Sequence, residues 1–304
     1  MTRTSLIDAN LSSRPGSLGG DWARPAVQTC DLSHTKGDAM TTITRHPAGT
    51  FCWTQLGTSD PEGAKKFYSS LFGWGKEEAS VGTGPSFTLL KKEGKAIGMV
   101  YALLKQEKDQ GVGPNWMSLV AVENVDDIAA QVKKSGGKVL QEPFDVAENG
   151  RMGVFQDPTG AVFSVWQGKK QTGAAIINET GAMCWNELIT NDTTKAGAFY
   201  KQIFGWTEEP MKTPTSMGGT YTVFKKDGTS AGGMIKATPQ MKLTHPYWLV
   251  YFAVDDADKT VAKAQELGGK TMLPPTDIPD VGRFSVLTDP QGAYFAIIKP
   301  APQM

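Results

Sequence analysis

The chain is poor in the residues that most often carry metal and covalent chemistry. It has three His and three Cys among 304 residues. So few His limit any His-rich metal centre. Cys30, Cys52 and Cys184 form no C-x-x-C and no short spacing, which argues against a disulfide framework or a zinc knuckle. That usage fits a reducing compartment, so a cytoplasmic protein is expected. Charge of one sign is missing as well, since 31 Lys+Arg balance 31 Asp+Glu. Without an excess there is no electrostatic footprint for nucleic acid or an anionic membrane, and neither partner is expected. Long apolar runs are absent too. The longest, Pro246 to Val254, is far short of the ~20 residues that cross a bilayer. The N-terminal stretch lacks the apolar core of a secretory signal.

What is abundant is glycine, with 34 residues, and repetition. Gly49-Thr-Phe-Cys-Trp53 matches Gly181-Ala-Met-Cys-Trp185. Phe67-Tyr68 matches Phe199-Tyr200, and Phe72-Gly73-Trp74 matches Phe204-Gly205-Trp206. Pro114-Asn-Trp116 matches Pro246-Tyr-Trp248. Gly150-Arg151 matches Gly282-Arg283, and Asp157-Pro158-x-Gly160-Ala161 matches Asp289-Pro290-x-Gly292-Ala293. Every pair lies 132 residues apart, and the register slips by two only near Phe87 and Tyr221. A period that long is a duplicated domain rather than a solenoid. The copies span 49–168 and 181–300, joined by a short polar linker, 169–180.

Each copy has the same internal order. Residues 51–57 alternate as a strand, and Ala64, Phe67, Tyr68, Leu71 and Phe72 fall on one helical face within 61–72. Asp60 and Pro61 suit the cap and first turn of that helix, and Gly73 suits its end. Strands are predicted near 86–91, 95–103, 116–122, 151–156 and 162–167, with a helix over 125–135. Asp-Pro-x-Gly reads as a structural type I turn, in which Asp accepts backbone N–H groups and Pro presets φ.

A strand, then Thr-Ser-Asp or Thr-Asn-Asp, then a helix bearing Phe-Tyr and ending in Phe-Gly-Trp resembles the opening of a vicinal oxygen chelate domain. Val254-Asp-Asp-Ala-Asp258 and the Asp-Pro-x-Gly-Ala hairpin are similar to that superfamily's second half. The resemblance covers about 49–168 and 181–299. It implies an α+β fold of two tandem glyoxalase-like domains, each made of two paired βαβββ modules curling a mixed sheet into a cup. Members include glyoxalase I, extradiol dioxygenases, fosfomycin-resistance enzymes and bleomycin-resistance binding proteins. Family enzymes place metal ligands on three strands. The matching positions here are Trp53, Met117 and Ser164 in copy one, and Trp185, Leu249 and Ala296 in copy two. Trp, Met, Leu and Ala are not ligands for a hard or borderline divalent ion. Gln55 or Glu187 alone cannot complete a site, so neither metal nor cofactor is expected.

The implied partner is therefore a small molecule. Period-2 alternation puts Phe51, Trp53 and Gln55 on one face of the first strand, and Met183, Trp185 and Glu187 on the matching face of copy two. A Trp at that position either fills the cup or stacks on a ligand. Candidate ligand-binding residues are Trp53, Gln55, Met117, Ser164, Trp185, Leu249 and Tyr251. Arg151 and Arg283 join them. They are the only Arg after residue 45, and a planar fork suits either an anionic ligand or a carboxylate such as Asp145 or Asp277. Glu187 is the candidate catalytic residue. It is either a desolvated general acid or base, or a solvated or ion-paired carboxylate. Three functions compete: a metal-free binding protein of the bleomycin-resistance type, a glyoxalase-like lyase, isomerase or dioxygenase-related enzyme using Glu187, and an interaction protein with filled cups. The chain is expected to be a monomer with two pseudo-symmetric domains or a homodimer.

Residues 1–48 follow no period of 2 or 3.6 and are expected to be a disordered or mis-called extension. Lys36-Gly37 can be encoded as a bacterial ribosome-binding sequence just ahead of Met40, which is the expected start. Intact-mass measurement of the natively expressed protein is expected to give a chain beginning at Met40. A species beginning at Met1 overturns that start.

Overall fold

The computed structural model describes residues 42–80, 86–212, 220–241 and 243–302. The expected start at Met40 and the extension before residue 42 lie outside the described residues. Copy one runs β1 (Phe51–Thr58), α1 (Pro61–Phe72), β2 (Gly75–Ser80), β3 (Ser86–Lys92), β4 (Lys95–Ala102), a short α2 (Lys105–Asp109), β5 (Asn115–Ala121), α3 (Val125–Lys134), β6 (Lys138–Val146), β7 (Gly150–Gln156) and β8 (Val162–Gly168). Copy two runs β9 (Met183–Thr190), α4 (Thr193–Phe204), β10 (Thr207–Lys212), β11 (Thr220–Lys226), β12 (Thr229–Lys236), β13 (Tyr247–Ala253), α5 (Ala257–Glu266), β14 (Lys270–Ile278), β15 (Gly282–Thr288) and β16 (Tyr294–Pro300).

Each copy builds one eight-stranded mixed sheet, β2-β3-β4-β1-β5-β8-β7-β6 or β10-β11-β12-β9-β13-β16-β15-β14. Within a sheet the two βαβββ modules join where β1 and β5, or β9 and β13, pair antiparallel. The helix ends follow the sequence. Asp60 and Asp192 accept the amides of Gly63 and Lys195, and Gly73 and Gly205 close the helices with φ of 74° and 69°. The strands β2 and β6 were not predicted. They lie at sheet edges, largely exposed, so no apolar alternation marks them.

The helix-bearing faces of both sheets meet in one continuous core. Helix α1 lies against the other copy's sheet, with Tyr68 and Phe72 beside Phe295 and Phe252 at 5.5 and 5.4 Å between ring centroids. Helix α4 answers with Tyr200 against Phe163 at 5.5 Å. The repeated motifs close this joint with reciprocal hydrogen bonds. The Tyr68 hydroxyl donates to Asp289 Oδ2 at 3.1 Å, and the Tyr200 hydroxyl to Asp157 Oδ2 at 3.0 Å. Trp116 and Trp248 donate their indole N–H groups to those same hydroxyls, both at 2.8 Å. Trp74 reaches the Gly181 carbonyl at 2.7 Å, and Trp206 reaches that of Gly49 at 2.8 Å. The Asp-Pro-x-Gly turn thus has two roles. Asp157 Oδ1 takes the amides of Thr159, Gly160 and Ala161, while Oδ2 holds the other copy's tyrosine.

Two segments differ from the sequence reading. Residues 42–48, grouped with the extension, pack on the fold: Ile43 donates its amide to the Ala175 carbonyl at 3.0 Å, and His46 is buried. The linker 169–180 is not simply a polar surface loop, because Ala174 and Ile176 are buried in it.

Because the core is shared, the two copies are expected to unfold in one transition with coincident probes. Tyr68→Phe leaves Asp289 Oδ2 and the Trp116 N–H without their partner. It is expected to cost about 1–3 kcal/mol in denaturant unfolding, and Tyr200→Phe the same. A change within error for both variants contradicts the joint described here.

Candidate functional site

The cup faces lie opposite the shared core and carry separate clusters. Which residues reach them depends on one irregularity. The β1–β5 register shifts between Phe51 and Trp53, and the β9–β13 register shifts at Met183 to Trp185. Each shift leaves one extra residue, Cys52 or Cys184, and an extra residue reverses the facing of all that precede it. Phe51 and Met183, predicted on the cup face, therefore lie in the shared core. Cys52 and Cys184, which strict alternation would put on the opposite face, lie in the cup clusters. Trp53, Gln55, Trp185 and Glu187 keep the predicted face.

The first cup is closed at its first strand. Trp53 and Gln55 are each 7% exposed. Trp53 packs with Leu119, Trp166 and Ala174 of the linker. The Ala174 amide binds the Cys52 carbonyl at 2.7 Å, and Trp166 donates to the Gln171 carbonyl at 2.8 Å, so the linker seals that side. His46 Nε2 meets the Ala174 carbonyl at 2.9 Å, and burial lowers its pKa below the ordinary imidazole value. Met117 pairs with Gln55 across β5, and Ser164, fully buried, donates to the Gly153 carbonyl at 2.8 Å.

The second cup is less completely covered at the same level. Trp185, Glu187, Tyr221 and Tyr247 are all half-buried. Glu187 sits among aromatic groups: Tyr251 donates its hydroxyl to Glu187 Oε1 at 3.1 Å, and Tyr221 hydrogen-bonds the same carboxyl. Trp185 completes the chain by donating its indole N–H to the Tyr221 hydroxyl at 2.8 Å. Desolvation pushes the Glu187 carboxyl up to about 7, and the two phenols oppose it only in part. The same surroundings raise Tyr221 and Tyr251, chiefly by burial. Leu249 pairs with Glu187 across β13, and Ala296 lies beside Tyr251 on β16.

Tyr221 and Gly233 were missed as site residues. Gly233 pairs with Glu187 on β12, and a Cβ there would come within 1.7 Å of the Tyr221 hydroxyl. The missing side chain is what lets the phenol cross β12 to the carboxyl. A Tyr and a Gly beside the one register slip between copies were the available signals. Copy one has Gln55, Phe87, Leu119 and Met99 where copy two has Glu187, Tyr221, Tyr251 and Gly233. The carboxyl and both of its phenol partners belong to the second cup alone.

The arginines are not brought to either cup. Arg151 forks onto both oxygens of Asp126 at 2.9 Å and also meets Asp145 at 3.2 Å. Arg283 does the same with Asp258 at 2.7 and 2.8 Å and Asp277 at 2.9 Å. Asp126 and Asp258 lie in the first turns of α3 and α5, so these forks fasten helix to strand on the core side. That planar demand accounts for Arg in a Lys-rich chain. Surface clefts of about 320 and 270 Å3, beside Phe199 and beside Phe72, also belong to the joint between copies. Among the described residues, no group of three or more His, Cys, Asp or Glu could hold a metal ion. No described helix is long and apolar enough to cross a membrane.

Two paired βαβββ modules per eight-stranded sheet, repeated in tandem, define a tandem vicinal oxygen chelate architecture. The chain belongs to the Glyoxalase/Bleomycin resistance protein/Dioxygenase superfamily, whose profile matches residues 50–165 and 176–297. It is 43% identical over 256 residues to "Putative glyoxylase CFP32" of Mycobacterium tuberculosis, covering 84% of this chain and 96% of that one. It is 33% identical over 270 residues to anthracycline biosynthesis protein DauV of Streptomyces sp. strain C5, covering 84% and 95%. The Mn(II)-bound glyoxalase from Novosphingobium aromaticivorans shares the fold, with a TM-score of 0.57 at 15% identity over 83% of this chain and 82% of that one. So does 2,2',3-trihydroxybiphenyl 1,2-dioxygenase from Sphingomonas wittichii RW1, with a TM-score of 0.56 at 12% identity over 83% and 91%.

Gly233→Ala is expected to push the Tyr221 hydroxyl away from Glu187. Losing that donor raises the carboxyl further, so a carbon-13 NMR titration of Glu187 is expected to move its midpoint above about 7. An unmoved midpoint shows that Gly233 does not set the Tyr221 position.

Proposed function

We propose that this chain binds a small organic molecule in its second cup and that Glu187 exchanges a proton with it, without the family's usual metal. One observation carries this reading: Glu187 is held at about 7 by desolvation, on a half-open face, with phenols as its polar partners. A carboxyl with its midpoint near neutrality can both give and take a proton under working conditions. Tyr251 and Tyr221 hold the carboxyl in place, and Trp185 with Tyr247 offers an apolar surface for the body of the ligand. The family's metal positions support the same conclusion. Trp185, Leu249 and Ala296 supply no ligand for a divalent ion, and Glu187 alone cannot hold one. The first cup, sealed around Trp53 and Gln55, is read as a structural partner. Relatives named for a glyoxylase and for anthracycline biosynthesis agree with small-molecule chemistry.

The folded-state carboxyl lies above its ordinary value, so the native protein holds more protons than the unfolded chain between about 4.5 and about 7. Glu187's contribution to stability is therefore complete below that window and is lost as pH rises through it. Glu187→Gln is expected to abolish that pH slope in denaturant unfolding. Against a metabolite panel, ligand-induced change in tryptophan emission is expected to survive Trp53→Phe and to be lost in Trp185→Phe. For any compound turned over, Glu187→Gln is expected to cost about 100-fold or more in kcat, and the wild-type rate to titrate near 7. Retention of the emission change in Trp185→Phe, or a rate midpoint at the ordinary carboxyl value, contradicts the assignment.

A further inference from the structure

The second cup surrounds a single carboxyl with aromatic rings, and among the described residues no cation pairs with it. Trp185 comes from β9, Tyr221 from β11, Tyr247 and Tyr251 from β13, and Phe284 stacks behind Tyr251 at 6.3 Å. On the neighbouring strands Glu187 is paired with Leu249 and Gly233, and the polar groups that reach it there are phenols. Among the described residues no Lys, Arg or His pairs with it. Lys225, which shares a face of β11 with Tyr221, is already held by Glu209 at 2.5 Å.

Resting on the reading that the second cup is the working site, we propose that it recognises a protonated amine carried on a small apolar body. The ammonium lies against the faces of Trp185, Tyr221 and Tyr247, and Glu187 is its counter-charge. Two independent attractions act on such a group. Aromatic faces are negative and attract a cation, more strongly where water is excluded. A partly desolvated carboxylate lacking a counter-ion gains most from a ligand that brings one. An anionic ligand meets the opposite situation. It places like charge beside Glu187, which among the described residues has no basic group beside it. A neutral isostere gains only its apolar contact. Copy one carries Gln55, Phe87 and Leu119 at the matching positions, so it has no charge with which to make this choice.

The test uses three molecules of nearly the same shape: 2-phenylethylamine, 2-phenylethanol and phenylacetic acid. Each is titrated into the full chain at neutral pH and followed by calorimetry and by tryptophan emission. The amine is expected to bind at least about tenfold more tightly than the alcohol, and the acid more weakly than either. Glu187→Gln is expected to fold, since copy one already carries Gln at that position. It is expected to erase most of the amine-over-alcohol preference while leaving the alcohol's affinity within about twofold. Tyr247→Leu, at a half-buried position, is expected to weaken the amine more than the alcohol. If the alcohol binds and the amine is no better, the cation assignment is wrong and the small-molecule cup stands. If the acid binds as tightly as the amine, or the Gln variant keeps the preference, the assignment is likewise overturned. If none of the three saturates at millimolar concentration, the small-molecule reading of the cup fails, and the cation assignment fails with it.

Discussion

Two buried tyrosine–aspartate hydrogen bonds, Tyr68 to Asp289 and Tyr200 to Asp157, hold the molecule's organisation together. Each carboxylate closes its own hairpin with one oxygen and grips the opposite copy's first helix with the other. Turn, helix and neighbouring domain are thereby tied through single side chains that are largely buried. A buried carboxylate is tolerable only when its acceptor sites are filled, so the arrangement is demanding as well as stabilising. Its consequence is directional. With the helix faces locked against each other, the opposite faces of the two sheets stay outside the shared core.

That division explains where the copies agree and where they differ. The shared core repeats its residues almost one for one: Phe67 and Phe199, Phe72 and Phe204, Trp74 and Trp206, Trp116 and Trp248. Side chains there pack against both copies, and a change of volume at one position is felt on two surfaces. The cup faces carry no such mutual constraint. There Gln55 faces Glu187, Leu119 faces Tyr251, and Met99 faces Gly233 as counterparts. One cup packs Trp53 and Gln55 under the linker, and the other sets an aromatic face around a desolvated acid.

Much of the fold was legible in the chain itself. The caps at Asp60 and Asp192, the left-handed glycines at Gly73 and Gly205, and the Asp-Pro-x-Gly hairpins are local, and local chemistry sets them. Edge strands β2 and β6 were not legible, because an exposed edge has no buried face to impose alternation. The bulges at Cys52 and Cys184 were not legible either. A bulge is one unpaired residue in a ladder, visible only once the partner strand is in register. It placed Phe51 and Met183 on the face opposite to the one that alternation assigned them.

The sequence by itself determined the duplication, the family and the tandem βαβββ architecture. Those features rest on repeated spacing and on residue chemistry, both of which are carried along the chain. Tertiary structure decided what surrounds Glu187. Only folding brings Tyr221 from β11 and Tyr251 from β13 onto a carboxyl on β9, and only the gap at Gly233 lets the first of them reach it. Folding also drew Arg151 and Arg283 to aspartates on α3 and α5, away from both cups. Burial and pairing are properties of neighbours in space, and the chain order lists none of these as neighbours.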